Sequence, residues 1–199
     1  MKEIIDYLKA TYHPRALLVY GSYTRGDQDE YSDFDCMVIV DSKEKDHDDS
    51  VIGGVQLDCF IFTAEEAAAE DMDPFLTAAD SEIILDDGIG AALKERVRKY
   101  AAEHTVTGEN EKEFICSWIR KIMRRMEKGD DEGSYRGFLF LSESLEDYCT
   151  LRDLFYSGSK KTIAYLKEND PQGYALFHAA MADRTNESIR AWAEYVAGR

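Results

Sequence analysis

The apolar run ALLVY at 16–20 stops at Gly21-Ser22, about a dozen polar residues follow, and Asp33 and Asp35 then stand on alternate positions as a second apolar run, FDCMVIV, begins. Both runs are short, rich in β-branched and aromatic residues, and bounded by turn formers, which is the signature of strands. Side chains at i and i+2 of a strand leave it on the same face, so the two carboxylates are held close together. Like charges at that spacing need a cation. Hard oxygen ligands of this kind suit Mg2+, which takes one or two carboxylates and completes its shell with substrate phosphates.

A third carboxylate, Asp58, sits in the next apolar run, GVQLDCFIF at 54–62, flanked by Leu57, Cys59 and Phe60. The two later runs are expected to be neighbouring strands, with the polar DSKEKDHDDS at 41–50 as the loop between them. A buried, unpaired carboxylate is costly, and a metal shared with Asp33 and Asp35 removes the cost. Three aspartates on two strands therefore imply two cations, the arrangement that activates an attacking oxygen and stabilises a leaving one in phosphoryl transfer. Gly21 lets the backbone turn tightly and approach a ligand, and the short helix or turn that Ser22 opens offers N–H groups to an anion. The pair reads as a phosphate cradle.

Around these runs the first half is mixed α and β. A helix is expected over 2–12, with Ile4, Ile5, Leu8 and Tyr12 on one face and Pro14 closing it. Further expectations are a helix over 64–72, a strand at 82–85, and the turn Asp86-Asp87-Gly88 leading into a helix near 89–103. From about 110 the spacing becomes helical: Phe114, Ile115, Trp118, Ile119, Ile122, Met123 and Met126, then Phe138, Leu139, Leu145, Tyr148, Cys149 and Phe155. Two long helices separated by KGDDEGS at 128–134 are expected, then helices near 160–168, 172–182 and 186–197. The fold class is α+β: a mixed sheet with helices over 1–107, followed by an all-α bundle over 108–199.

Charge narrows the partners. Of the net −16, residues 1–109 hold −15, with 25 acids against 10 bases. So acidic a half repels a nucleic-acid backbone, and no nucleic-acid partner is expected; cationic small molecules and divalent metals suit it better. Four cysteines, Cys36, Cys59, Cys116 and Cys149, lack CxxC spacing and suggest reduced thiols. No apolar run approaches the roughly 20 residues needed to span a bilayer. The expectation is a soluble, cytoplasmic protein without a membrane partner.

Gly21-Ser22, Arg25-Gly26, Ser32-Asp33-Phe34-Asp35 and Asp58, in that order, resemble the nucleotidyltransferase superfamily that includes DNA polymerase beta and the aminoglycoside and lincosamide nucleotidyltransferases. The likeness covers 17–62, and the helical second half matches by architecture, since antibiotic-modifying members append a helical substrate-binding domain. The resemblance implies that Gly21, Ser22 and Arg25 hold the nucleotide phosphates. It further implies that Asp33 and Asp35 bind two Mg2+ ions and that Asp58 completes one metal site near the attacking hydroxyl. The reaction implied is adenylyl transfer: AMP moves from ATP to a hydroxyl of a small-molecule acceptor, such as an aminoglycoside or lincosamide antibiotic, and pyrophosphate leaves.

A second reading is a regulatory nucleotidyltransferase of antitoxin type that adenylylates or restrains a partner protein. A fused toxin of the usual kind is not expected, because His178 has no Arg at 171–173. Some relatives take a general base from the helical domain, a role open to Glu143 or Glu146, though interface hydrogen bonding is the commoner use of such residues. Arg120, Lys121, Arg124, Arg125 and Lys128 form a basic stripe that reads equally as a triphosphate contact or a solvated face. Lys160-Lys161 reads as a surface pair at a helix start. His13 reads as a helix-end residue, His178 as a core histidine, and Trp118 and Trp192 as core packing.

Overall fold

The computed structural model describes residues 1–198, which contacts divide into two compact units, Met1–Ala101 and a helical unit from Ala102 onward. The first unit is built on a mixed sheet. Its strands are β1 (Ala16–Val19), β2 (Phe34–Val40), β3 (His47–Asp48), β4 (Val51–Ile52), β5 (Val55–Thr63) and β6 (Glu82–Asp86). The order is β3-β5-β2-β1-β6, with β4 pairing β5. β1 runs antiparallel to both β2 and β6, whereas β2 and β5 are parallel and in register from Phe34↔Leu57 to Val40↔Thr63.

β1 and β2 read as continuous apolar runs because they are covered on both faces. Leu17, Val19, Phe34, Cys36, Val38 and Val40 pack with Leu57, Cys59 and Ile61 against Ile4 and Leu8 of helix α1 (Lys2–Tyr12). The alternate residues Ala16, Leu18, Tyr20, Met37 and Ile39 pack on the opposite face against Phe75, Leu93 and Val97. Leu93 and Val97 belong to helix α4 (Ile89–Glu103). Between them lie the single turn α2 (Ser22–Arg25) and helix α3 (Ala64–Ala68).

The expected helix at 64–72 is shorter than its alanine-rich sequence suggests. Thr63 and Glu66 form a capping box at its start, and Arg96 Nη1 donates to Ala67 O at 2.7 Å at its end. Pro74, which has no N–H to continue an α-helix, opens a separate 3-10 helix, Asp73–Asp80. The expected loop at 41–50 is also corrected, because it contains β3 and runs into β4. Gly53 and Gly54, at φ +60° and +84°, make the two-residue turn between β4 and β5, where positive φ is needed at both positions.

The helical unit comprises α5 (Glu109–Met126), α6 (Asp131–Thr150), α7 (Ser159–Asn169), α8 (Pro171–Asp183) and α9 (Asn186–Val196). Trp192 is fully buried at its centre, stacked on Tyr148 and Tyr195 and edge-on to Phe177. The turn between α5 and α6 is tighter than expected, since Asp130 caps α6 by accepting from Gly133 N at 2.9 Å. Arg125 reaches across this turn to Asp130 and Glu132, at 2.7 and 2.5 Å, so this member of the basic stripe is structural.

The buried face of α6 differs from the expected one. Phe140 and Leu141 are buried, while Phe138 is about half exposed. Four apolar residues in a row, FLFL, leave the face undecided by periodicity. It is settled by the glycines, since Gly133 and Gly137 pack against α5, with Met126 touching both.

Candidate active site

Strand alternation sets the site. Leu57, Cys59 and Ile61 face α1, so Asp58 and Phe62 face the other way, on the side where Met37 and Ile39 place Asp35. Asp35 and Asp58 are direct partners in the parallel register, so the structure brings these two carboxylates side by side on one face. Both are half-buried. Asp33 is exposed in the segment leading into β2, one residue before the strand starts.

Gly21 connects this pair to the first motif. It leaves β1 at φ +75°, and a Cβ built on it would fall 2.0 Å from Asp35 Oδ2. The Asp35 carboxylate thus occupies the space that a side chain at 21 would fill. Tyr20 N donates to Asp35 O at 3.1 Å, which fixes the end of β1 against the start of β2. Ser22 is buried at the start of α2, while Arg25 is exposed at its end and pairs with Asp27 at 3.2 Å. Tyr20 packs on the carboxylate face; burial pushes its hydroxyl above the ordinary range, and the charges of Asp58 and Asp35 act in the same direction.

His47, which sequence reasoning missed, holds the outer edge. Its Nε2 lies 2.7 Å from Asp58 Oδ1, and its ring packs against Phe60 at 4.9 Å. A two-residue strand leaves no periodicity, so His47 offered no signal within a polar run. The next residue, Asp48, is 1% exposed and receives hydrogen bonds from Tyr7 (3.1 Å), Tyr12 and Ser50 Oγ (2.6 Å), with Lys45 at 3.0 Å. Burial alone would push this carboxyl up, but bonds from Ser50, Tyr12 and Lys45 outweigh it and hold the group well below the usual range. Asp48 thereby ties α1 to the strand that presents His47.

Among the described residues, no group of three His, Cys, Asp or Glu side chains is drawn together closely enough to hold an ion by itself. Asp35 and Asp58 nevertheless fit a divalent cation in donor type and placement: two hard carboxylates in register, half-exposed, beside a glycine with no side chain. Of the helical-unit residues, Glu143 and Glu146 are exposed, as is His178, which stacks on Tyr174 instead of lying in the core. Asp147, not singled out by its sequence, is half-buried, and its carboxyl is pushed up to about 7 by burial, then by Glu143 and Glu146.

A mixed sheet whose strand ends pair two aspartates beside a bare glycine turn defines a class of protein suited to phosphoryl transfer. Residues 1–123 match the model of the nucleotidyltransferase domain, and the chain belongs to that family; it is a nucleotidyl-transferring enzyme. The match covers the whole first unit and most of α5. The chain is similar to the crystal structure of a nucleotidyltransferase-like protein from Exiguobacterium sibiricum 255-15. The identity is 13% and the TM-score 0.38, covering 98% of this chain and 72% of that one. No curated protein matches the chain. Among the described residues, no helix is long and apolar enough to cross a membrane.

Proposed function

We propose that this nucleotidyltransferase transfers AMP from ATP to a hydroxyl of a small molecule in a Mg2+-dependent reaction. The acceptor we favour is cationic, of the aminoglycoside or lincosamide kind. The observation that carries the reading is the registered Asp35–Asp58 pair with Gly21 bare against Asp35. Asp35 and Asp58, with Asp33 at the mouth of β2, would hold two Mg2+ ions, and phosphate oxygens of the nucleotide would complete the coordination. Bound there, Mg2+ neutralises charge on the phosphoryl oxygens and favours the ionised acceptor hydroxyl.

Gly21, Ser22 and Arg25 would face the triphosphate. Gly21 lets the turn pass close against the Asp35 carboxylate, Ser22 offers its hydroxyl and N–H, and Arg25 can exchange Asp27 for a phosphate. In the transfer an oxygen–phosphorus bond forms from the acceptor hydroxyl to the α-phosphorus, and the bond to pyrophosphate breaks. The acidic first half supports a cationic acceptor by charge complementarity. The test is mass spectrometry of the protein incubated with Mg2+, mixed nucleotides and a panel of aminoglycosides and lincosamides, beside Asp35→Asn. An AMP adduct on a small molecule, absent with the variant, supports the reading. Adducts only on protein would replace it with the regulatory one, and no adduct at all would overturn the acceptor class.

A further inference from the structure

The helical unit carries a groove of about 240 Å3 lined by Phe114, Ile115 and Trp118 of α5 and by Glu143 and Asp147 of α6. The buried face of α5 is formed by Ile119, Ile122 and Met126. Phe114 is turned away from it and stands 70% exposed, a large apolar surface for an isolated side chain to present to water. Trp118 lies one helical turn further on and is half-buried, so the two aromatic residues and Ile115 form one apolar wall.

The opposite wall is acidic. Glu143 and Asp147 are one turn apart on α6. Asp147 Oδ2 is buried and has no hydrogen-bond partner, one of two such side-chain atoms among the described residues. A carboxylate oxygen in that position loses its hydration and receives nothing in exchange. The charges acting on it, Glu143 and Glu146, have its own sign, and α5 faces the groove with no titratable group. Where that carboxyl is ionised, such a site is incomplete without a donor that carries positive charge. A bare metal ion would leave the aromatic wall unused, whereas an ammonium group with an apolar body would meet both walls, gaining contact with the aromatic faces as well as the carboxylates.

We propose that this groove binds a small organic ammonium ion, its charged end on Asp147 and Glu143 and its apolar body against Phe114, Ile115 and Trp118. The groove is smaller than the ~300–1,000 Å3 of sites for drug-sized ligands, so the occupant is a small amine or the amine arm of a larger molecule. The site lies wholly within the helical unit and its occupancy does not depend on nucleotidyl transfer.

Isothermal titration of the full chain with 2-phenylethylammonium, without nucleotide or Mg2+ at about pH 8, tests this directly. Saturable binding at one site is expected. It should weaken by about tenfold or more with 2-phenylethanol, which keeps the ring and loses the charge, and with Asp147→Asn. Phe114→Ala, at an exposed position, should also weaken it without altering the melting temperature. Should Asp147→Asn fail to fold, Glu143→Gln carries the same expectation from an exposed side chain. No saturation up to about 10 mM, equal binding of the alcohol, or undiminished binding by the folded carboxylate variants would overturn the proposal.

Discussion

His47 Nε2 lies 2.7 Å from Asp58 Oδ1, a contact that crosses from β3 to β5 and fixes one oxygen of the Asp58 carboxylate; under the proposed function the other would face a Mg2+ ion. Partners of this kind orient a ligating carboxylate, and their loss typically costs about 10–100-fold in metal affinity or activity. His47→Ala is accordingly expected to lower nucleotidyl transfer by about tenfold and to weaken Mg2+ binding measured by calorimetry, with His47→Asn recovering part of both. Unchanged Mg2+ affinity in His47→Ala would remove His47 from the site.

Two glycines of positive φ differ in what an added side chain would meet. Gly21→Ala would place a methyl on the Asp35 carboxylate at a φ of +75°, whereas Gly26 has a φ of +76° and open space around its missing Cβ. Gly26→Ala should cost about 1–2 kcal/mol in stability from its left-handed backbone. Gly21→Ala should cost about 1–3 kcal/mol of backbone strain, since its ψ of −148° lies in a region that is essentially glycine's alone, besides the contact with Asp35. Only Gly21→Ala moves Asp35, and displacement of a reacting-site group on this scale costs about a hundredfold in rate. Equal turnover of the two variants, compared by initial rates, would contradict the role given to the Gly21–Asp35 contact.

Asp48 makes the first unit acid-sensitive. Its carboxyl titrates below the ordinary range in the folded state, so its contribution to stability is present above the unfolded value, near pH 4, and is lost as the pH falls. Asp48→Asn should cost about 2–3 kcal/mol at neutral pH, through lost charge-assisted bonds to Tyr7, Tyr12 and Ser50. It should also flatten the loss of stability below about pH 4. Denaturant melts across pH, followed by tyrosine fluorescence, measure both.

Asp147 works in the opposite direction. Its carboxyl is raised to about 7, so the folded state holds a proton that the unfolded chain releases near pH 4, and stability falls as the pH rises between those values. Asp147→Asn stays neutral and is expected to melt a few degrees above the native protein at about pH 8, at roughly 2–4 °C per kcal/mol, with the difference shrinking as the pH falls and vanishing only below about pH 4. Scanning calorimetry across this pH range measures it. A lower melting point for the variant at about pH 8 would show that Asp147 has a compensating partner.

Local chemistry determined much of this protein. Apolar runs of period two or near 3.6, Pro14 after α1, and the Asp86-Asp87-Gly88 turn act within a few residues of themselves, so β1, β2, β5, α1 and α4 were legible from the chain alone. The order Gly21-Ser22, Arg25, Asp33, Asp35, Asp58 likewise pointed to the family before any coordinate did. Tertiary structure alone decided how these pieces meet. That Asp35 stands opposite Asp58 is a matter of strand register, and that Gly21 lies bare against Asp35 depends on β1 pairing with β2. His47 and Asp147 became visible only because a two-residue strand and the packing of α5 on α6 bring distant residues to their sides. Hydrogen bonding and burial are set by neighbours across the fold, and neighbours across the fold leave no period in the sequence.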